Sequence, residues 1–137
     1  FVHKDFHSSN LLQTTGGPGI IDFQDGMQGP VSYDFVSLIW DRHIAWKRER
    51  LVQWMLDVHT ILPVTCSPGA WIRYCDWLGL QRDRKIVGIF ARLCHRDGKN
   101  GYVEMIPRFY QYLLDVLPRY PEFQKFHLML EQNECAP

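Results

Sequence analysis

The run Thr14-Thr15-Gly16-Gly17-Pro18-Gly19, set between the apolar pairs Leu11-Leu12 and Ile20-Ile21, obliges this chain to turn back on itself near its start. Glycine and proline break any helix there and supply turn conformations, while the short apolar pieces on either side suit strands. An antiparallel hairpin is expected, and pairing Leu11 with Ile21 and Leu12 with Ile20 sets Asn10 opposite Asp22. Facing residues of such a pair lie about 4.5–5.5 Å apart at Cα. The hairpin would then deliver an amide oxygen and a carboxylate to one end, where a single Mg²⁺ has room to bridge them.

Immediately before the hairpin, His3-Lys4-Asp5-Phe6-His7-Ser8-Ser9-Asn10 spells H-x-D-x-x-x-x-N, and Asp22-Phe23-Gln24-Asp25 follows it. A lone loop aspartate is ordinarily a cap or a turn residue; the flanking His3 and Asn10 change that reading. Asp5 becomes a carboxylate that accepts or orients the proton of an attacking hydroxyl. Asn10 and Asp22 become ligands for Mg²⁺, which takes few protein oxygens and keeps phosphate oxygens and water in its other positions. That division of labour is what phosphoryl transfer to an alcohol needs. His3 reads as loop support, its imidazole bonded to backbone. His7 either caps a turn or approaches a substrate, and Ser8 and Ser9 make local side-chain to backbone bonds. Asp25 serves a second metal or the substrate, or merely opens the turn at Gly26. Asp34 sits where an apolar helix begins, so its charge needs partners. The backbone N–H groups of the catalytic loop are the nearest candidates, which makes Asp34 loop support as well.

Beyond Gly29-Pro30 the pattern is helical. Ser32 is the expected N-cap of a largely buried helix over Tyr33–Ile44. Leu51, Met55, Val58 and Leu62 recur at helical spacing and stop at Pro63. After a break at Thr65–Gly69, Trp71, Tyr74, Cys75 and Leu78 mark one helix, and Ile86, Ile89, Phe90 and Leu93 another, ending near Asp97-Gly98. Val103, Ile106, Tyr110, Leu113 and Leu117 mark the next, and Pro121 opens a last one to about Leu130. The expected fold is α+β, mostly α: a β-hairpin platform in residues 1–31, backed by five or six helices in residues 32–133. Lys47-Arg48-Glu49-Arg50 and Arg82-Asp83-Arg84-Lys85 read as solvated helix faces, with a substrate-contacting role open for Arg82 and Arg84.

At 137 residues, 46 % of them apolar, the chain suffices for one globular domain rather than a disordered tail. Fifteen basic and fifteen acidic residues cancel, so no global field argues for nucleic acid or an anionic membrane as partner. No apolar run is long enough to span a membrane. Cys66, Cys75, Cys94 and Cys135 form no C-x-x-C pair, which argues against structural zinc and favours free thiols in a reducing compartment. The cytoplasm is the expected location. A chain that opens inside its reactive motif is expected to be a fragment, or the carboxyl-terminal lobe of a longer polypeptide.

The motifs H-x-D-x-x-x-x-N and D-F-Q-D resemble the catalytic-loop and metal-binding pattern of the aminoglycoside phosphotransferase and choline kinase superfamily, relatives of protein kinases. The longer strings V-H-K-D-F-H-S-S-N-L-L, I-I-D-F-Q-D-G-M-Q-G-P-V-S-Y-D-F-V-S-L and W-L-G-L-Q-R-D-R-K-I-V-G-I-F-A-R-L resemble one branch. Its members are bacterial kinases that phosphorylate the anomeric hydroxyl of N-acetylmuramate or N-acetylglucosamine in cell-wall recycling. The likeness runs from residue 1 to about Phe123. It implies a protein-kinase-like carboxyl-terminal lobe, ATP as co-substrate, an amino sugar as acceptor and Mg²⁺ as cofactor. Asp5 would be the catalytic carboxylate, and Asn10 and Asp22 the metal ligands. It also implies a missing amino-terminal lobe of the same polypeptide that clamps ATP, so this piece alone would be inactive. Gln24 stands where protein kinases place the DFG glycine, as suits this superfamily. Other acceptors of the superfamily (an aminoglycoside, choline or homoserine) are the same-class alternative, and a non-catalytic lobe that only binds is the alternative from another class. From Asp34 onward 14 basic and 12 acidic residues suit a neutral or carboxylate-bearing sugar better than a polycation.

Overall fold

A two-residue connection, Thr15-Gly16, joins strand β1 (Leu11–Thr14) to β2 (Gly17–Ile20), and this short link sets the register. Thr14 pairs with Gly17, so Leu11 faces Ile20 rather than Ile21, one residue away from the expected alignment. Gly17 meets the turn with a φ of +113°, which its missing Cβ permits, and the Thr14 hydroxyl donates to the Gly17 carbonyl at 2.6 Å. Pro18 lies in β2, tolerated because each strand of a two-stranded sheet has a free edge. The computed structural model describes residues 1–41 and 43–134. The chain divides into two compact units, Phe1–Gly79 and Leu80–Pro137.

In the first unit the hairpin is followed by helices α1 (Tyr33–Ile39) and α2 (Arg48–Ile61) and by the first part of α3 (Pro68–Asp97). Helix α1 ends five residues before its expected end at Ile44. Asp41 is the reason: its carboxylate accepts the N–H groups of His43 and Ile44, which turns the backbone out of the helix. Ser32 holds the N-cap position without a side-chain capping bond, and its carbonyl takes the Val36 N–H instead. Val36, Ile39, Trp40, Leu51, Met55, Trp71 and Cys75 are buried. The Trp71 ring stacks on Phe35 and its indole N–H donates to the Met55 carbonyl at 2.7 Å, tying α3 to both preceding helices. Large apolar side chains buried this way each contribute roughly 1.5–3 kcal/mol. Gly79 explains how Trp40 fits: a Cβ there would lie 2.5 Å from the indole ring, so only glycine lets α3 approach that closely.

The expected pair of helices across residues 70–97 is one continuous thirty-residue helix, α3, because nothing between Leu78 and Ile86 breaks it. Its sequence also overturns the solvated reading of Arg82-Asp83: both are buried, while Arg84 and Lys85 are exposed. Asp76, Gly79, Leu80 and Asp83 recur at helical spacing, so both acids lie on the buried stripe of α3.

The second unit continues with a 3₁₀ stretch Asn100–Met105, helix α4 (Ile106–Val116), 3₁₀ turns at Leu117–Arg119 and Pro121–Phe123, and α5 (Gln124–Glu134). The buried residues of α4 are Phe109, Tyr112, Leu113 and Val116; of the expected line Val103-Ile106-Tyr110-Leu113-Leu117, Leu113 and Leu117 are buried, and Ile106 and Tyr110 are half-buried. Val103 is exposed. Phe109 meets Phe90 edge to face at 5.8 Å, and the Tyr110 hydroxyl donates to the Leu130 carbonyl. Asp83 is fully buried, and among the described residues its two oxygens find no hydrogen-bond partner. Burial pushes its pKa up from the ordinary 3.8 to about 8, against a smaller downward pull from Arg82. The folded chain therefore holds a proton that the unfolded chain releases between those values, and stability falls as pH rises through that window. Asp83→Asn should abolish a decline of up to about 1.4 kcal/mol per pH unit. Chemical denaturation from pH 5 to pH 8 checks this; parallel slopes for the two proteins would contradict it.

Among the described residues Cys66, Cys75 and Cys94 form no disulfide, and burial, with Asp76 adding, pushes Cys75 up to about 12. Cys135 lies outside the described residues. No described helix is long and apolar enough to cross a membrane.

Candidate active site

Two backbone features shape the loop that leads into the hairpin. Val2 and Met27 exchange backbone hydrogen bonds at 2.7 and 3.0 Å, which closes residues 2–27 into a ring with the hairpin inside. Lys4 has a φ of +77° and Asp22 a φ of +63°, left-handed conformations that non-glycine residues seldom adopt. The first throws the chain sharply round just before Asp5. The second compensates for the shifted register. The Ile21 N–H bonds to the Asn10 carbonyl, so Asn10 faces Ile21, not Asp22 as expected. The left-handed turn at Asp22 nonetheless brings its carboxylate back to the Asn10 side chain.

Asn10 sits at the centre. It is nearly buried, and its amide nitrogen donates to the Asp5 backbone carbonyl at 2.9 Å and reaches the Asp22 carboxylate at 3.4 Å. Both partners are acceptors, which fixes the amide nitrogen toward them and turns the amide oxygen elsewhere. The other Asp22 oxygen accepts the Gln24 amide at 2.7 Å, a contact not anticipated from sequence. Asp5 and Asp22 are both exposed. The Asn10 amide oxygen and the exposed Asp22 carboxylate are the sparse, hard donors that Mg²⁺ accepts when phosphate and water complete its shell, and a half-turn of the Asn10 amide would exchange its nitrogen for its oxygen beside Asp22. Among the described residues no three His, Cys, Asp or Glu side chains gather into a protein-only cage. The residues present therefore fit the metal that the resemblance implies.

His3 is buried, and its Nε2 lies 2.8 Å from the Ile21 carbonyl, so it carries the proton there and donates. Asp34, in the first turn of α1, accepts the backbone N–H groups of His3 at 2.7 Å and Lys4 at 3.0 Å. His7 is half-buried and its N–H donates to the Asp5 carbonyl at 3.0 Å. Asp25 is exposed in the turn closed by the Gly26 N–H on the Phe23 carbonyl. Arg82 and Arg84 belong to the second unit, Arg82 buried and Arg84 exposed. Sequence reasoning missed Asp41. It is 5 % exposed, and its carboxylate accepts the Ser8 hydroxyl at 3.0 Å as well as the two N–H groups that end α1. An acid inside a stretch this apolar was the available signal, since a buried carboxylate must find donors.

Comparison with known proteins supports the resemblance drawn from the motifs. A family model described as "Phosphotransferase enzyme family" matches residues 1–60, the segment that holds the loop, the hairpin and α1. The chain is 42 % identical over 140 residues to an N-acetylmuramate/N-acetylglucosamine kinase of Pseudomonas putida, covering 98 % of this chain and 41 % of that protein. It is 43 % identical to the protein of the same name from Neisseria meningitidis, and 38 % to that from Pseudomonas aeruginosa. Each of those matches covers 95 % of this chain and 40 % of the relative. The chain thus spans about two fifths of the length of these relatives.

Proposed function

We propose that this chain, matched to the phosphotransferase family through its first 60 residues and to amino-sugar kinases along nearly all its length, carries the reacting groups of an ATP-dependent kinase. The acceptor is the anomeric hydroxyl of N-acetylmuramate or N-acetylglucosamine, and the reaction serves cell-wall recycling in the cytoplasm. The observation that carries this reading is the nearly buried Asn10 amide, which ties the backbone of the Asp5 loop to the Asp22 carboxylate and so brings the exposed residues Asp5 and Asp22 to one neighbourhood. The printed names of the relatives support the acceptor class.

In the reaction the sugar oxygen forms a bond to the γ-phosphorus of ATP, the bond to the bridging oxygen breaks, and ADP leaves. Asp5 orients the hydroxyl and takes its proton. Asn10 and Asp22 would hold Mg²⁺, which supplies charge neutralisation for the phosphate oxygens. In this reading Asp25 would serve a second metal or the sugar and His7 would approach the sugar, and His3 and Asp34 hold the loop through the contacts described above. An amino-terminal lobe that clamps ATP completes the enzyme. Its support is the shortness of the match and the apolar surface of residues 1–31, where Phe1, Leu12, Ile20, Ile21, Phe23, Met27 and Val31 are exposed.

The test uses the full-length protein with ATP, Mg²⁺ and a panel of N-acetylmuramate, N-acetylglucosamine, an aminoglycoside, choline and homoserine. Phosphorylation of the two sugars at the anomeric oxygen is expected. Turnover of another acceptor and of neither sugar would end the sugar assignment, and no turnover at all would favour a lobe that only binds. Asn10→Ala should raise the Mg²⁺ concentration for half-maximal rate at least about tenfold, the loss seen when even an outer partner of a metal ligand is removed. An unchanged metal titration would take Asn10 out of the ligand set.

A further inference from the structure

We propose that Asp41 is a positioning residue for phosphoryl transfer, acting through Ser8 on the loop that carries Asp5; the inference rests on the phosphotransferase reading above. Asp34 and Asp41 stand near opposite ends of α1, which at seven residues is about 10 Å long. Asp34 takes the His3 and Lys4 N–H groups, just before Asp5. Asp41 takes the Ser8 hydroxyl, just after it. Helix α1 thereby grips the loop on both sides of the reacting carboxylate.

The grip on the far side reaches Asp5 through a short chain of bonds. Ser8 opens the 3₁₀ turn Ser8–Asn10, the Asn10 N–H donates to the His7 carbonyl at 2.9 Å, and the His7 N–H donates to the Asp5 carbonyl at 3.0 Å. The near side carries strain. Lys4 is held left-handed, a strained conformation for a residue with a Cβ, and such a conformation persists only where its surroundings over-determine it. With the exit of the loop released, that strain can relax by moving Asp5. A displacement of about 1 Å in a reacting group can cost 10²-fold in rate. Asp41 itself is anchored: it is buried, and two backbone N–H groups fix one of its oxygens while the other faces Ser8.

The experiment compares Ser8→Ala, Ser8→Thr, Asp41→Ala and Asp41→Asn in the full-length protein. Ser8 is exposed, so Ser8→Ala removes the bond without opening the core even if Asp41→Ala fails to fold. Ser8→Ala and Asp41→Ala are expected to lower kcat about 10- to 100-fold with the KM for ATP unchanged, and the double variant to be no worse than Asp41→Ala alone. Ser8→Thr keeps a hydroxyl and Asp41→Asn keeps an amide that can reach it, so both should retain most of the rate. A merely structural role would lower stability without this split between kcat and KM. The second readout is amide hydrogen exchange: the His7 and Asn10 amides should exchange about tenfold faster in Ser8→Ala, with the Trp71 amide unchanged. Unchanged kcat together with unchanged exchange overturns the proposal. If the unaltered protein phosphorylates no acceptor, the phosphotransferase reading fails by itself, and exchange alone then decides whether Asp41 holds the loop.

Discussion

Asp5→Ala in the full-length protein should lower kcat by about two to four orders of magnitude and leave the unfolding temperature close to that of the unaltered protein. The two halves of this expectation have separate causes. The bonds that shape the loop land on the Asp5 backbone carbonyl, which accepts from the His7 N–H and the Asn10 amide, and a substitution leaves that carbonyl in place. The side chain is exposed, where substitutions usually change stability by no more than about 0.5 kcal/mol. What is lost, in the proposed reaction, is the group that takes the hydroxyl proton. Steady-state rates at saturating ATP and acceptor, set beside thermal unfolding, read both halves. Near-normal turnover would remove Asp5 from the reaction, and a matching fall in unfolding temperature would transfer the loss to folding.

Arg48→Ala should destabilise the chain by about 3–5 kcal/mol. Its two terminal nitrogens hold the two oxygens of Asp76 at 2.6 and 2.7 Å, a bidentate pair that joins the first residue of α2 to α3. Asp76 is completely buried and the Arg48 side chain only 13 % exposed, so the solvated reading of Lys47-Arg48-Glu49-Arg50 fails at Arg48. Truncating the arginine takes a bidentate, charged partner from a carboxylate in the interior, which costs far more than the net worth of the pair. Replacing both partners by apolar residues of similar volume, Arg48→Met with Asp76→Leu, should recover most of the loss. Urea midpoints of the three proteins measure this. A loss below about 1 kcal/mol in Arg48→Ala would mean that Asp76 finds another donor.

Much of this architecture was legible from local chemistry. The Gly/Pro run foretold a hairpin, and the recurrence of Leu51 and Met55 foretold the buried face of α2. What the sequence left ambiguous depended on choices made elsewhere in the chain. Apolar matching allows Leu11 to face either Ile20 or Ile21, and the length of the link decides between them. The end of α1 was misjudged because Phe35 through Ile44 keeps a helical pattern, while a single side chain, Asp41, captures the N–H groups that would have extended it. Asp76 and Asp83 look like surface residues in a list, yet the phase of a long helix carries them inward. At the loop before the hairpin, residue types and spacing singled out Asp5, Asn10 and Asp22 as candidates. The left-handed turns at Lys4 and Asp22, which bring them into place, leave no mark in composition.

The apolar side chains standing in water around the hairpin have a practical consequence. Phe1 and Phe23 are 85 % and 63 % exposed, with Leu12, Ile20, Met27 and Val31 nearby in sequence, and so much greasy surface on a small body favours sticking to other copies. This chain expressed by itself should scatter light and need mild detergent or a fused solubility partner. Silence from such a preparation in an assay would speak of its colloidal state before it spoke of its chemistry.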